Sequence, residues 1–206
     1  MNYIKSKVSS LKMRNQSIVK SFGEAILLTD AISPEIASAY FSRLRKEIQW
    51  HQEPIRIFGK WIPQPRLTAF YGDPQKTYRY SGLTMKSLPW TACLLELRNL
   101  VQDLAEETFT SALLNLYRNG DDSMGWHRDN EPELGINPVI ASLSFGATRS
   151  FRFRLKGKKS SEISIDLQNG SLLIMKGAIQ THWEHSLPKT KKPIGERINI
   201  TFRKII

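Results

Sequence analysis

From about Leu113 to the C-terminus the chain repeats its apolar residues every second position, and this constrains the fold more than any other feature of the sequence. Leu113–Tyr117, Val139–Phe145, Ser150–Leu155, Glu162–Leu167, Ser171–Met175 and Arg197–Ile205 all read as strands. Turn-forming runs separate them: Asn119-Gly120-Asp121-Asp122, Lys156-Gly157-Lys158 and Gln168-Asn169-Gly170. Two helices precede this block. Ser33-Pro34-Glu35 supplies an N-cap, a first-turn proline and an acid at the positive end of the dipole, and Ile36, Tyr40, Phe41, Leu44 and Ile48 follow with helical period. A second helix is expected from Leu88-Pro89, with Leu94, Leu97, Val101 and Leu104 on one side, and residues 49–87 read as short strands and loops. Six or more strands after two helices imply an α+β, mainly β fold: a double-sheet jelly roll with the N-terminal helices packed on one face. No internal repeat appears, and residues 21–206 read as a single domain.

At 206 residues the chain can bury one sizeable core. Its first twenty residues carry Lys5, Lys7, Lys12, Arg14 and Lys20 without an acid and read as a basic, partly disordered arm. No apolar h-region follows those charges, and the stretch Ala25–Leu28 is far too short for a membrane span, so neither secretion nor a membrane partner is expected. The single cysteine, Cys93, rules out an intrachain disulfide, fits a reducing compartment and reads as a core filler. The expected location is the cytoplasm of a bacterium or the nucleus of a eukaryote, and the expected state a monomer. A net charge of +11 favours a polyanionic partner, because Lys and Arg gain affinity by displacing counterions from phosphates.

The last strand splits cleanly. Ile198, Ile200 and Phe202 form one face, and Arg197, Asn199, Thr201 and Arg203 form the other. That polar face is either an ordinary solvent-facing side or the lining of a pocket that holds a dicarboxylate, for which the planar guanidinium fork is suited. His127-Arg128-Asp129 is an H-x-D pair in extended chain, where residues two apart point the same way. Alone it reads equally as a hydrogen-bonded loop pair. With a third ligand from His51, His182 or His185 it becomes two histidines and one carboxylate on one face of a metal, which suits non-haem Fe(II) with open positions for a co-substrate and O₂.

The run Leu114–Tyr117, Gly125-Trp126-His127-Arg128-Asp129, Ile140–Gly146, His185-Ser186-Leu187-Pro188 and Arg197–Arg203 resembles the AlkB family of nucleic-acid dealkylases. The likeness reaches back to Pro65-Arg66 and Tyr71-Gly72-Asp73, covers roughly residues 55–206, and favours the branch of vertebrate homologues that repair duplex DNA. It implies a double-stranded β-helix core over 113–206 and a nucleotide-recognition segment over 55–82. It implies Fe(II) on His127, Asp129 and His185, the last chosen because it precedes Ser-Leu-Pro, with no separate general base. It implies 2-oxoglutarate on Arg197 and Arg203, with Asn115, Tyr117, Asn199 and Thr201 as hydrogen-bond partners, and O₂ as the second co-substrate. The implied reaction oxidises the N-methyl carbon of 1-methyladenine or 3-methylcytosine, releasing formaldehyde and the restored base.

On the substrate side, Tyr78 and Tyr80 resemble the family's base pocket, with His127 covering the other side of a flipped base. Asn130 and Glu131 are candidates for reading its edge, and Phe58 in Arg56-Ile57-Phe58-Gly59-Lys60 for the wedge that fills the gap. Lys156, Lys158, Lys159, Lys189, Lys191 and Lys192 form two basic loops suited to phosphates. Thr190 departs from the family pattern, standing where a further cation is expected. Rival readings are a same-scaffold oxygenase acting on RNA, protein or lipid, and a catalytically silent nucleic-acid-binding module.

Overall fold

The computed structural model describes residues 15–57, 60–74, 77–80, 83–158 and 160–206. In chain order its elements are β1 (Asn15–Val19), β2 (Glu24–Leu28), α1 (Pro34–Glu47), β3 (Pro54–Ile57), β4 (Lys60–Pro63), β5 (Leu67–Gly72), β6 (Thr77–Tyr80), β7 (Leu83–Lys86) and α2 (Ala92–Ala105). There follow β8 (Ser111–Tyr117), β9 (Met124–His127), β10 (Ile140–Gly146), β11 (Arg149–Leu155), β12 (Ile163–Leu167), β13 (Leu172–Lys176), α3 (Ile179–His182), β14 (Trp183–Leu187) and β15 (Arg197–Arg203). The six strands expected from alternation all form, with ends within two residues of those expected. No helix among the described residues is long and apolar enough to cross a membrane.

Seven strands build a major sheet in the order β1-β2-β13-β10-β15-β8-β5, and four build a minor sheet, β12-β11-β14-β9. The neighbouring strands of both sheets pair antiparallel. Strand alternation gives the major sheet two different faces. Ala112, Leu114 and Leu116 of β8, Ala141, Leu143 and Phe145 of β10, and Ile198, Ile200 and Phe202 of β15 pack with α1 and α2 in one apolar core. Leu113, Ile140, Leu173 and Met175 face the other way and meet Phe153, Leu167 and Trp183 in a second core. This is the jelly-roll arrangement, with both helices on the outer face of the larger sheet.

Two expectations about the N-terminal half need correction. The basic arm was expected over residues 1–20, but Asn15–Val19 is strand β1, paired with β2. Val19 is buried and Ile18 packs beside it, which draws the segment onto the sheet; residues 1–14 lie outside the described residues. The second helix starts at Ala92, not Leu88. Leu88 is held extended by donating its N–H to Phe70 O, and Thr91 caps the helix by accepting from Leu94 N at 3.2 Å. Ser33 does occupy the N-cap of α1, yet its side chain makes no capping bond, and Ala37 N bonds its carbonyl instead.

Cys93 is fully buried on α2, where burial pushes its thiol up to about 12, as befits a core filler. The β12–β13 turn is tighter. Gly170 has φ +83°, and a Cβ there would lie 2.2 Å from the Ile32 carbonyl that follows β2. Its own carbonyl accepts from Ile32 N and its N–H bonds Ser144 O, so the turn cannot back away. Gly170→Ala is expected to cost about 2–3 kcal/mol, read as a lower urea midpoint at unchanged m-value.

Candidate active site

Between the two sheets, beside the second apolar core, lies a partly open pocket. The polar faces of β8 and β15 line it with Asn115, Tyr117, Arg197, Asn199, Thr201 and Arg203. The minor sheet contributes His185 and His127, and the segment just beyond β9 contributes Asp129. The solvent-facing alternative for the β15 polar face is excluded, because all four of its residues are buried.

His127, Asp129 and His185 each offer a ligand atom, and these atoms lie within 4.8 Å of one another. His185 stands opposite His127 across the β14–β9 pair, their ring centroids 4.2 Å apart. Phe151 stacks on His185 at 5.4 Å and holds its plane. Nδ1 of His127 lies 2.9 Å from Gly125 O, which can only accept, so Nδ1 carries the proton and the Nε2 lone pair faces Asp129 at 3.9 Å. Burial keeps both imidazoles neutral, lowering His127 below its ordinary value and His185 to about 3. Burial also opposes ionisation of Asp129, but the groups around it together outweigh burial, Arg203 foremost with Nη2 3.0 Å from Oδ1, and the carboxyl falls to about 2. That contact is not aligned as a hydrogen bond, so Oδ1 retains a lone pair for a cation. Two neutral imidazoles and one carboxylate, mutually close, with Asp129 and His185 buried and His127 half-buried, fit a divalent metal. Of the other two histidines, His51 is exposed beside Thr68, and exposed His182 meets the Phe22 ring at a tilt, centroids 5.0 Å apart.

The cationic half of the pocket also fits a ligand. Arg197 is 2% exposed, donates from Nη2 to Ser144 Oγ at 2.9 Å and has no carboxylate partner among the described residues. Burial lowers its guanidinium to about 10. A buried cation without a counterion is costly, by several kcal/mol, and an incoming carboxylate removes that cost. Arg149 and Arg197 both lie over the Tyr117 ring, at 5.8 and 5.4 Å. Thr201 Oγ1 donates to Asn199 Oδ1 at 3.1 Å, and Asn199 Nδ2 donates to Ser142 Oγ at 2.8 Å, a chain that orients the polar face. Asn115 Oδ1 accepts from Arg66 Nε at 2.8 Å.

Several of these partners escaped the sequence reading. Ser142 and Ser144 were detectable, since they alternate with Ala141, Leu143 and Phe145 on a strand already identified. Arg66 and Arg149 carried no periodic signal. Arg149 ties the Asn119–Asp122 turn to the loop after β14, donating to Asn119 O, Asp122 O and Pro188 O. Thr190 belongs to the same junction: its N–H bonds Gly120 O, and its carbonyl leaves no space for a Cβ on Gly120.

The substrate-side candidates are less assembled. Asn130 is exposed, and half-buried Glu131 caps a short 3₁₀ turn, Pro132–Leu134. Tyr78 and Tyr80 fall on β6, opposite Met85 and Leu83 of β7. Lys156, Lys158, Lys189, Lys191 and Lys192 are exposed, whereas Phe58 and Lys159 lie outside the described residues.

The family model of the 2OG-Fe(II) oxygenase superfamily matches residues 24–203. The chain belongs to that superfamily. DNA oxidative demethylase ALKBH2 of Bos taurus is 43% identical over 82% of this chain and 65% of its own length; that of Homo sapiens is 43% identical over 82% and 69%. Alpha-ketoglutarate-dependent dioxygenase alkB homolog 3 of Homo sapiens is 46% identical over 79% of this chain and 59% of its own. The chain thus spans roughly three-fifths to two-thirds of these relatives. The solved structure of OsALKBH1 matches with a TM-score of 0.65 at 19% identity, over 87% of this chain and 97% of that one, which is agreement of fold. As a 2OG-Fe(II) oxygenase the protein is a dioxygenase that uses Fe(II), 2-oxoglutarate and O₂.

Two outcomes are expected. With Mn(II) under argon, 2-oxoglutarate at 100 times its Kd adds about 2.7 kcal/mol of stability, visible as a rise in Tm, and Arg197→Met loses most of that rise while keeping the response to metal alone. The second concerns the Asn119–Asp122 turn. Asp122 is buried, which by itself would raise its pKa, but Arg118 bonds at 2.8 and 2.9 Å lower it below the ordinary value of 3.8. Its contribution is complete above that ordinary value and disappears as the pH falls through the depressed folded one. The Tm gap between wild type and Asp122→Asn is therefore constant near neutrality and closes on acidification below pH 4.

Proposed function

We propose that this oxygenase repairs DNA by direct reversal, oxidatively demethylating 1-methyladenine and 3-methylcytosine. The observation that carries the reading is the shared lining of one pocket, in which a His-Asp-His set adjoins two buried arginines. Relatives named as DNA oxidative demethylases, 43% identical over most of the chain, support the substrate class. In this reading His127, Asp129 and His185 hold Fe(II). Arg197 and Arg203 bind the carboxylates of 2-oxoglutarate, with Asn115, Tyr117, Asn199 and Thr201 fixing its orientation. When bound, iron with 2-oxoglutarate and O₂ supplies the oxidant for a C–H bond that acid–base chemistry cannot touch. One oxygen atom ends in succinate, formed with CO₂. The other hydroxylates the methyl carbon, and the hydroxymethyl group leaves as formaldehyde.

The 55–82 segment is assigned to nucleotide recognition, with Phe58 as the wedge and Tyr78 and Tyr80 in the base pocket. His127 covers the base from the iron side, Asn130 and Glu131 read its edge, and Lys156, Lys158, Lys159, Lys191 and Lys192 meet the backbone. A net charge of +11 and exposed lysines in two loops support a polyanion. Double-stranded DNA is the preferred substrate and a monomer the acting form. The protein works in the nucleus if its source is eukaryotic and in the cytoplasm if bacterial.

The test is iron-loaded protein with 2-oxoglutarate, ascorbate and air on duplex DNA, single-stranded DNA and RNA, each carrying one 1-methyladenine, followed by mass spectrometry. Methyl loss fastest on the duplex and absent in Asp129→Ala is expected. Faster loss on RNA would move the substrate, and succinate formed with no methyl lost from any strand would overturn repair.

A further inference from the structure

Asp129 lies two residues beyond the end of β9, so no ladder of the minor sheet fixes its backbone. Its buried N–H instead donates to the side-chain Oε1 of Gln180 at 3.0 Å. Gln180 sits on α3 and is 2% exposed. Its amide has one orientation available: the N–H of Asp129 demands an acceptor, so the NH₂ turns the other way, donating to the Met175 thioether at 3.7 Å. Arg128, between the two candidate ligands, reaches the same turn, its Nη1 donating to Gln180 O at 3.4 Å and Thr181 O at 3.3 Å. Two successive residues of the H-x-D segment are thus held by α3.

The turn that does the holding is itself immobilised. Trp183 Nε1 donates to Ser21 O at 3.0 Å, the Phe22 ring packs at a tilt against His182, and Gly23 lies so close that a Cβ would clash with Ile179 N. The chain leaves α3 directly into β14, which carries His185. One short element therefore governs two of the three metal-facing groups.

We infer that Gln180 is a positioning residue for the metal centre, aiming the Asp129 carboxylate at the metal through the Asp129 backbone. The inference rests on reading Asp129 as a ligand. The aim matters because Arg203, 3.0 Å from Oδ1, competes for the same oxygen. Released from Gln180, the carboxylate can turn into an aligned pair with the guanidinium and present a poorer donor to the metal.

Co(II), bound anaerobically to the full chain, tests this through its affinity and its visible d–d absorption. Gln180→Leu, which removes the acceptor at similar volume, is expected to weaken Co(II) binding about 10- to 100-fold and to shift the band. Gln180→Asn, one methylene too short to reach, is expected to behave like Gln180→Leu and carries the test should the apolar variant not fold. Gln180→Glu keeps an acceptor at the right reach and restores the band. A merely structural role would lower Tm and leave the band of the folded protein unmoved. Wild-type affinity and band in folded Gln180→Leu or Gln180→Asn overturns the inference. Asp129→Ala is the separate control: if it binds Co(II) as wild type does, the ligand reading fails instead.

Discussion

The site depends on a central strand being apolar on one side and polar on the other. β15 lies between β10 and β8, with every residue from Arg197 to Arg203 buried. Ile198, Ile200 and Phe202 enter the helix-side core, worth about 1.5–3 kcal/mol each. That packing and the ladders on both edges hold Arg197 and Arg203 in a space they would not occupy alone, since an unpaired buried charge costs several kcal/mol. The helices on the outer face thus matter to the chemistry inside: they cover the apolar face and leave the polar face directed between the sheets.

The resulting electrostatics are uneven, and usefully so. Among the pocket-lining residues there are two guanidinium groups and one carboxylate, with both histidines held neutral by burial. Asp129 and Arg203 partly satisfy each other; Arg197 has only neutral oxygen and aromatic partners. A divalent cation restores the negative requirement at one end and a dianion the positive requirement at the other. The pocket's lining therefore fits a metal and a dicarboxylate together, and the chain belongs to a superfamily named for 2OG and Fe(II).

Much of this was legible in the chain. Alternation at Arg197–Arg203 identifies the split strand, and H-x-D at His127–Asp129 offers two ligands at extended spacing. The choice among His51, His182 and His185 was not available from spacing and rested on resemblance; packing makes it by placing His185 opposite His127 and His182 outside against Phe22. Local signals also misled where a distant strand intervened. Leu88-Pro89 looked like a helix start because nothing nearby reveals that Leu88 pairs with β5, and the basic arm concealed a strand because its partner, β2, is itself recognisable only beside β13.

What the sequence determined by itself is whatever a short period encodes: the strands, the two helices, the faces of β8 and β15, and the residue types able to bind metal and carboxylate. Only the tertiary structure decided which residues share a pocket. Arg66 against Asn115, Arg149 across three carbonyls and Gln180 behind Asp129 are separated by about 25 to 50 residues from the groups they hold. A hydrogen bond across such a distance leaves no periodic trace, because its partners are set by sheet order and loop path rather than by the alternation of neighbours along the chain.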